Sequence, residues 1–302
     1  MTVNMKDPYI KLKEKISRED HHEIGSLQEI CLEADKTSLK LELDYKLNRA
    51  MTVERETGNI DEFMYYDEDR LVGYIGIGRF GGAAMEVNGM VHPGYRRRGI
   101  FKKLFSLVKD EWHRGELPEM LLLCDAGAVA GHGFIKAAGA EYHHSEYEMY
   151  LRGSGIGNNA PGRLVLRKAT NADAGEISRQ NAIYFDSEIG EVAVILPEEE
   201  AKCGMHIYMA ELEGRIIGKV HLETGGVVYG IYGLGVMPEY RGKGYGREIL
   251  LGAINKLKGM GDKEIMLQVV ATNKNALGLY RSCGFEETST MEYYCMNKKA
   301  DS

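Results

Sequence analysis

Apolar positions recur along this chain with two periods. In "REILLGAINKLKGMG", Ile249, Leu250, Ala253, Ile254 and Leu257 make one stripe at helical spacing, and Gly259 or Gly261 can end the helix. "FKKLFSLVKDEW" repeats that pattern with Leu104, Leu107, Val108 and Trp112. "HIYMAELE", "RIIGKVHLET" and "VVYGIYGLGV" are β-branched or aromatic runs parted by Gly214 and by Gly225-Gly226, which predicts strands joined by tight turns. "KEIMLQVV" predicts a further strand, and "KNALGLYRSCGF" a helix closed by Gly284. Earlier, residues 19–50 are helical in composition, and "EFMYYDED", "RLVGYIGIG" and "AMEVNGMVH" predict strands. "RLVLRKAT" predicts a strand, and "NADAGEISRQNAIYF" a helix with Asn171 as its N-cap. Strands followed by strand–helix crossovers predict an α/β fold, a mixed sheet with helices on both faces.

The pattern is written twice. Arg70 and Arg215, Gly73 and Gly218, Val91 and Val236, Pro93 and Pro238, Arg96 and Arg241, Gly99 and Gly244, and Gly139 and Gly284 all keep one offset of 145 residues. Coincidence does not hold a register over so long a stretch, so two copies of one fold are expected. The glycine- and asparagine-rich "GSGIGNNAPG" reads as a linker. The expected organisation is therefore a first domain at 1–152, a linker at 153–162 and a second domain at 163–302.

Composition narrows the partners. The net charge of −7 and pI of about 5.8 argue against nucleic acid or an anionic membrane as the main partner. No apolar run approaches bilayer length, and the first fifteen residues lack the apolar stretch of a signal peptide. Five scattered cysteines without a Cys-x-x-Cys suggest a reduced, cytoplasmic protein without a cysteine-based metal site, and no metal is expected. Oligomeric state is not legible.

The candidate chemistry lies in "PEYRGKGYG", between a strand and an amphipathic helix. A helix begins with unpaired backbone N–H groups and the positive end of its dipole. Gly242, Gly244 and Gly246 leave that backbone open to an anionic ligand, and Arg241 and Lys243 add charge. In the first copy, "PGYRRRGIF" puts Arg97 and Phe101 where Gly242 and Gly246 stand.

These elements resemble the GCN5-related N-acetyltransferase (GNAT) family. Its pyrophosphate loop, Gln/Arg-x-x-Gly-x-Gly/Ala, is matched by Arg241-Gly242-Lys243-Gly244-Tyr245-Gly246. A second element of the family is matched by Asn273, Ala276, Leu279, Tyr280, Gly284 and Phe285. The resemblance covers nearly all of 163–296 and, more loosely, 1–152, and the doubling resembles tandem members of the family. It implies two tandem GNAT-type domains and acetyl-CoA as co-substrate. Its pyrophosphate would lie on the Arg241–Gly246 loop, with its pantetheine arm beside Leu234, Gly235 and Val236. Asn273 would touch it near splayed strands, and Tyr280 would protonate the departing thiolate. Gly233 and Gly235 fit a bulge there.

The acceptor implied is a primary amine of a small molecule or peptide. It must lose a proton, which calls for a base or a desolvating pocket. In a tandem enzyme of the family a glutamate sits where this chain has Gly230. Lys219, His221 and Glu223, which alternate on one strand, are candidates for that base, and their plainer reading is a solvated face. Tyr229 and Tyr232 offer a water chain instead, and no base is assigned. In the first copy Ala128 and Ile135 replace Asn273 and Tyr280, so that domain is expected to be catalytically silent, structural or substrate-shaping. The alternative is a non-catalytic acyl-CoA-binding sensor or scaffold.

Overall fold

Strand β1 (Pro8–Lys13) opens the chain's computed structural model, which describes residues 5–52, 58–79, 84–153, 163–185 and 194–298. Helices α1 (Arg18–Asp35) and α2 (Leu43–Thr52) follow, then strands β2 (Glu62–Asp67), β3 (Arg70–Gly78) and β4 (Ala84–Val91), helix α3 (Ile100–Arg114), strand β5 (Glu119–Asp125) and helix α4 (Val129–Ala138). Strands β1 to β4 pair antiparallel in sequence order, and β5 runs parallel to β4. Alternation sends Phe63 and Tyr65 of β2 into a core with Leu104, Val108 and Trp112 of α3. Met64 and Tyr66 face the other way, into a core with Ile24, Leu27 and Cys31 of α1. This unit is thus a sheet covered on both faces.

Strand β6 (Glu141–Leu151) precedes the second set: β7 (Leu164–Lys168), α5 (Ala174–Phe185), α6 (Pro197–Lys202), β8 (Met205–Leu212), β9 (Arg215–Glu223), β10 (Tyr229–Val236), α7 (Tyr245–Lys258), β11 (Ile265–Val270), α8 (Lys274–Ser282) and β12 (Phe285–Asn297). Again β7 to β10 pair antiparallel and β11 runs parallel to β10. The stripe Ile249, Leu250, Ala253, Ile254 and Leu257 of α7 is buried against Val220, Leu222 and Ile231. On the other face Ile177 of α5 packs with Ile207 and Met209.

The chain divides into two compact units: one runs through Ser145 and adds the stretch from Ser289 onward, and the other is Glu146–Thr288. Sheet pairing explains the division. Within the first unit, Met291–Asn297 of β12 pair antiparallel with Glu119–Asp125 of β5. Within the second, Glu146–Tyr150 of β6 pair with Met266–Val270 of β11. Each unit takes its sixth strand from the other sequence repeat. The linker expected at 153–162 lies outside the described residues from 154 on.

One local expectation changes. Asn171–Asp173 form a single 3-10 turn, and the cap is Thr170, which shares a capping box with Asp173. Asn171 instead bonds Glu198, giving 3.2 Å from its Nδ2 and accepting at 3.1 Å from the Glu198 amide.

Candidate active site

The loop between β10 and α7 is held in shape by glycine backbone. Gly242 and Gly244 have φ of 74° and 84°, a region that L side chains rarely adopt. A Cβ at either position would meet open space, so it is conformation, not crowding, that asks for glycine. Among the described residues, the amides of Gly242, Lys243, Gly244, Tyr245 and Gly246 meet no carbonyl partner, while that of Arg241 bonds Pro238 and that of Arg247 bonds Gly244. Five successive unpaired N–H groups at a helix start form an anion cradle. Arg241 is anchored by Nε to the Val236 carbonyl at 2.9 Å and forms no ion pair among the described residues. Lys243 reaches back to the Glu239 carbonyl. Tyr245 offers the loop only its amide, because its ring is buried in the core with the Arg163 guanidinium 5.0 Å from its centroid.

The strand leading into the loop is irregular where the resemblance asks for it. Pairing of β10 with β9 shifts register between Tyr232 and Gly235, and Gly233 has φ of 53°. Pairing with β11 covers only Tyr229–Ile231. The segment Leu234–Val236 therefore runs free of β11, with its polar backbone edge, apart from the Val236 carbonyl held by Arg241, available to an extended ligand. Two glycines are fixed by neighbours. A Cβ on Gly235 would stand 2.1 Å from the ring of Tyr184, which abuts that backbone from α5. A Cβ on Gly230 would stand 2.3 Å from the ring of Tyr232. The place a carboxylate side chain would take on this strand is already filled.

Helix α8 brings the second element alongside. A Cβ on Gly246 would stand 3.5 Å from Leu279 and 3.8 Å from Val236, so the end of β10, the start of α7 and the flank of α8 converge. Arg247 ties α7 to α8 through the Ser282 carbonyl and hydroxyl. Asn273 is the exposed N-cap of α8, accepting at 3.1 Å from the Ala276 amide. Tyr280 is 8% exposed, and its hydroxyl has no hydrogen-bond partner among the described residues. Burial pushes its pKa up to about 12, so it holds its proton at neutral pH.

The expectation of a solvated face on β9 is corrected. Lys219 is 0% exposed, because α5 covers that face and lays Tyr184 over it, with Nζ 5.5 Å from the ring centroid. Nζ donates to the Gly233 carbonyl at 3.2 Å and lies 3.1 Å from Nε2 of the half-buried His221. No carboxylate among the described residues pairs with Lys219, and burial lowers its pKa to about 7. Burial, and then Lys219, hold the imidazole of His221 well below its ordinary value.

The first unit keeps the loop's backbone and loses its openness. Gly99 has φ of 80°, and Arg97 sits at φ of 64° although it is not glycine. Arg96 repeats the Arg241 anchor, bonding the Val91 carbonyl at 3.0 Å, but its guanidinium is clamped by both Asp35 oxygens at 2.6 Å. The ring of Phe101 packs edge-on against Phe134 at 4.6 Å between α3 and α4. Ile135, at the place of Tyr280, is a core residue. Ala128 precedes α4 without a side-chain cap bond.

Comparison with known proteins bears on the family and the fold. The model of the acetyltransferase (GNAT) family matches residues 176–285. A mycothiol acetyltransferase of Thermobifida fusca is 35% identical over 228 residues, 65% of this chain and 69% of the relative. Another, of Thermobispora bispora, is 27% identical over 256 residues, 74% of this chain and 79% of the relative. Among solved structures, a GCN5-related N-acetyltransferase of Sphaerobacter thermophilus superposes with a TM-score of 0.73 at 16% identity, covering 96% of this chain and 95% of that one. A tandem GNAT protein from the clavulanic acid biosynthesis pathway gives 0.71 at 16% identity, covering 98% and 100%. At that identity the two structures show a shared fold.

Proposed function

This chain belongs to the GCN5-related N-acetyltransferase family, and on that premise we propose that its second unit carries the chemistry. The protein transfers acetyl from acetyl-CoA to an amine of a small-molecule acceptor. The observation supporting the second unit is the run of five unpaired amides at Gly242–Gly246, with Arg241 unclamped, against a first unit whose matching arginine is held by Asp35. In this reading the Gly242–Gly246 amides and Arg241 hold the diphosphate of the co-substrate. Leu234–Val236 pair their backbone with its extended arm and polarise the acetyl carbonyl. Tyr280 supplies a proton to the leaving sulfur. Asn273 has its Oδ1 engaged in capping α8 and offers Nδ2 to the ligand. The acceptor is a primary amine. Since the curated relatives are named for mycothiol, mycothiol-type amines head the panel to try, beside amino sugars and polyamines.

Calorimetry with acetyl-CoA tests this assignment. Gly244→Val should abolish binding, because a branched side chain at that φ distorts the cradle. Gly99→Val, its counterpart in the first unit, should leave binding intact. The reverse pattern would move the site to the first unit and overturn the reading.

A further inference from the structure

We propose that His221 and Lys219 together accept the proton of the amine, His221 taking it at Nδ1 while passing the proton on its Nε2 to Nζ of Lys219. This rests on the reading of the second unit given above, and it supplies the base that the sequence left unassigned.

The position is right for such a relay. The bulge at Gly233 immediately precedes the free edge Leu234–Val236. A Cβ built on Gly233 would stand 3.3 Å from both Cδ2 of His221 and Nζ of Lys219, so the pair lies against the bulge itself. His221 pairs across the sheet with Tyr232, whose ring closes the alternative place for a base at Gly230. His221 is partly exposed and its Nδ1 meets no partner among the described residues, whereas Lys219 is fully buried with its Nζ 3.1 Å from Nε2 of His221. From β8, Lys219 and His221 are flanked by Met209 and Ile207. From α5 they meet Tyr184, whose hydroxyl donates to Gln180. The nearby charges act on Tyr184: Arg241 first, then Glu176 and Arg179, which pair with each other, and Glu239. Glu223 follows on the same strand. None of these carboxylates forms an ion pair with Lys219.

A buried amine without a carboxylate is better neutral than charged, which leaves a lone pair on Nζ for a proton. The step balances. The amine nitrogen bonds the acetyl carbon and then carries one proton too many. Nδ1 of His221 gains that proton, the Nε2–H bond breaks, and Lys219 becomes an ammonium still held by the Gly233 carbonyl. The carbon–sulfur bond breaks and the sulfur takes the Tyr280 proton. Between turnovers Lys219 returns its proton through His221 to water, and Tyr280 regains one from water. The imidazole stays neutral throughout and only changes tautomer.

Histidine-labelled full-length protein gives a direct test, because two-bond 1H–15N spectra read the tautomer of His221 without any acceptor. The expected result is Nε2–H above a midpoint near pH 7 and Nδ1–H below it, with no imidazolium formed. Lys219→Met should abolish the switch. An ordinary imidazolium titration in the wild type, or a tautomer that does not respond to pH, overturns the proposal. In assays with acetyl-CoA and an amine from the panel, His221→Gln and Lys219→Met should each lower kcat roughly 100-fold with acetyl-CoA affinity unchanged. Lys219→Arg should fall as far as Lys219→Met, since a guanidinium cannot take the proton. Rescue of kcat by arginine would show that charge alone matters and would also overturn it. Failure of acetyl-CoA to bind the second unit would sink the functional reading instead, and the spectra would still decide whether the relay exists.

Discussion

At the scale of single residues, the proposed chemistry turns on two side chains. Tyr280 is buried, protonated and without a partner among the described residues, which suits a donor to a developing thiolate. Tyr280→Phe should lower kcat by roughly 10²-fold while calorimetry shows acetyl-CoA binding unchanged. Lys219 should weigh on folding. Unfolded, it titrates at the ordinary lysine value of 10.5, and folded at about 7. Below pH 7 both states hold the proton and folding bears the full cost of a buried ammonium. Between the two values only the unfolded chain holds it, so stability at this site rises with pH. Lys219→Met should therefore raise Tm most at or below pH 7, and the gain should shrink toward pH 10; thermal melts across that range check the sign. The loop glycines, Asn273 and Tyr280 could be proposed from sequence because each belongs to a spaced motif. The burial of Lys219 was not. Alternation told which residues share its face, but nothing in "RIIGKVHLE" told that α5 would lay Tyr184 over it.

At the scale of elements, the site depends on where α5 begins and where β10 breaks. The start of α5 is set by Asp173. It receives bonds from the Thr170 amide at 2.8 Å and from both terminal nitrogens of Arg167 at 2.9 and 3.0 Å. Arg167 first, with the capping bonds, holds its carboxyl down at about 2. That stabilisation is complete above the ordinary carboxylate value of 3.8 and is lost as pH falls through 2. Asp173→Asn should cost roughly 1–3 kcal/mol at pH 7, read by urea titration, and much less at pH 2. The sequence carried the helix but put its cap one residue late, because asparagine and threonine both make good caps and only the bond from Asp173 separates them. The break in β10 was foreshadowed by Gly233 and Gly235. The reason for glycine at 235, the ring of Tyr184 against the backbone, is a tertiary contact that no local pattern writes.

At the scale of the whole molecule, the repeat was plain from its constant offset, and the exchange of sixth strands was hidden by that same repeat. Strands β6 and β12 are counterparts in the two copies, so the repeat alone does not tell which sheet each one joins. Deleting the chain from Ser289 onward should strip protection from hydrogen exchange in Glu119–Asp125 of β5, and uncover Leu121 and Leu123, which are buried with Met291 and Tyr293. Protection of Ile265–Val270 in β11 should persist, since its partner is β6. The measurement is exchange mass spectrometry on the two proteins side by side.

The same borrowed strand has a consequence for how the protein is made. Translation delivers β1 to β5 early, but the edge of β5 has no sheet partner until Met291–Asn297 have cleared the ribosome exit. The unit begun first thus waits through synthesis of its neighbour, holding a raw β edge that a nascent-chain chaperone would be expected to shelter.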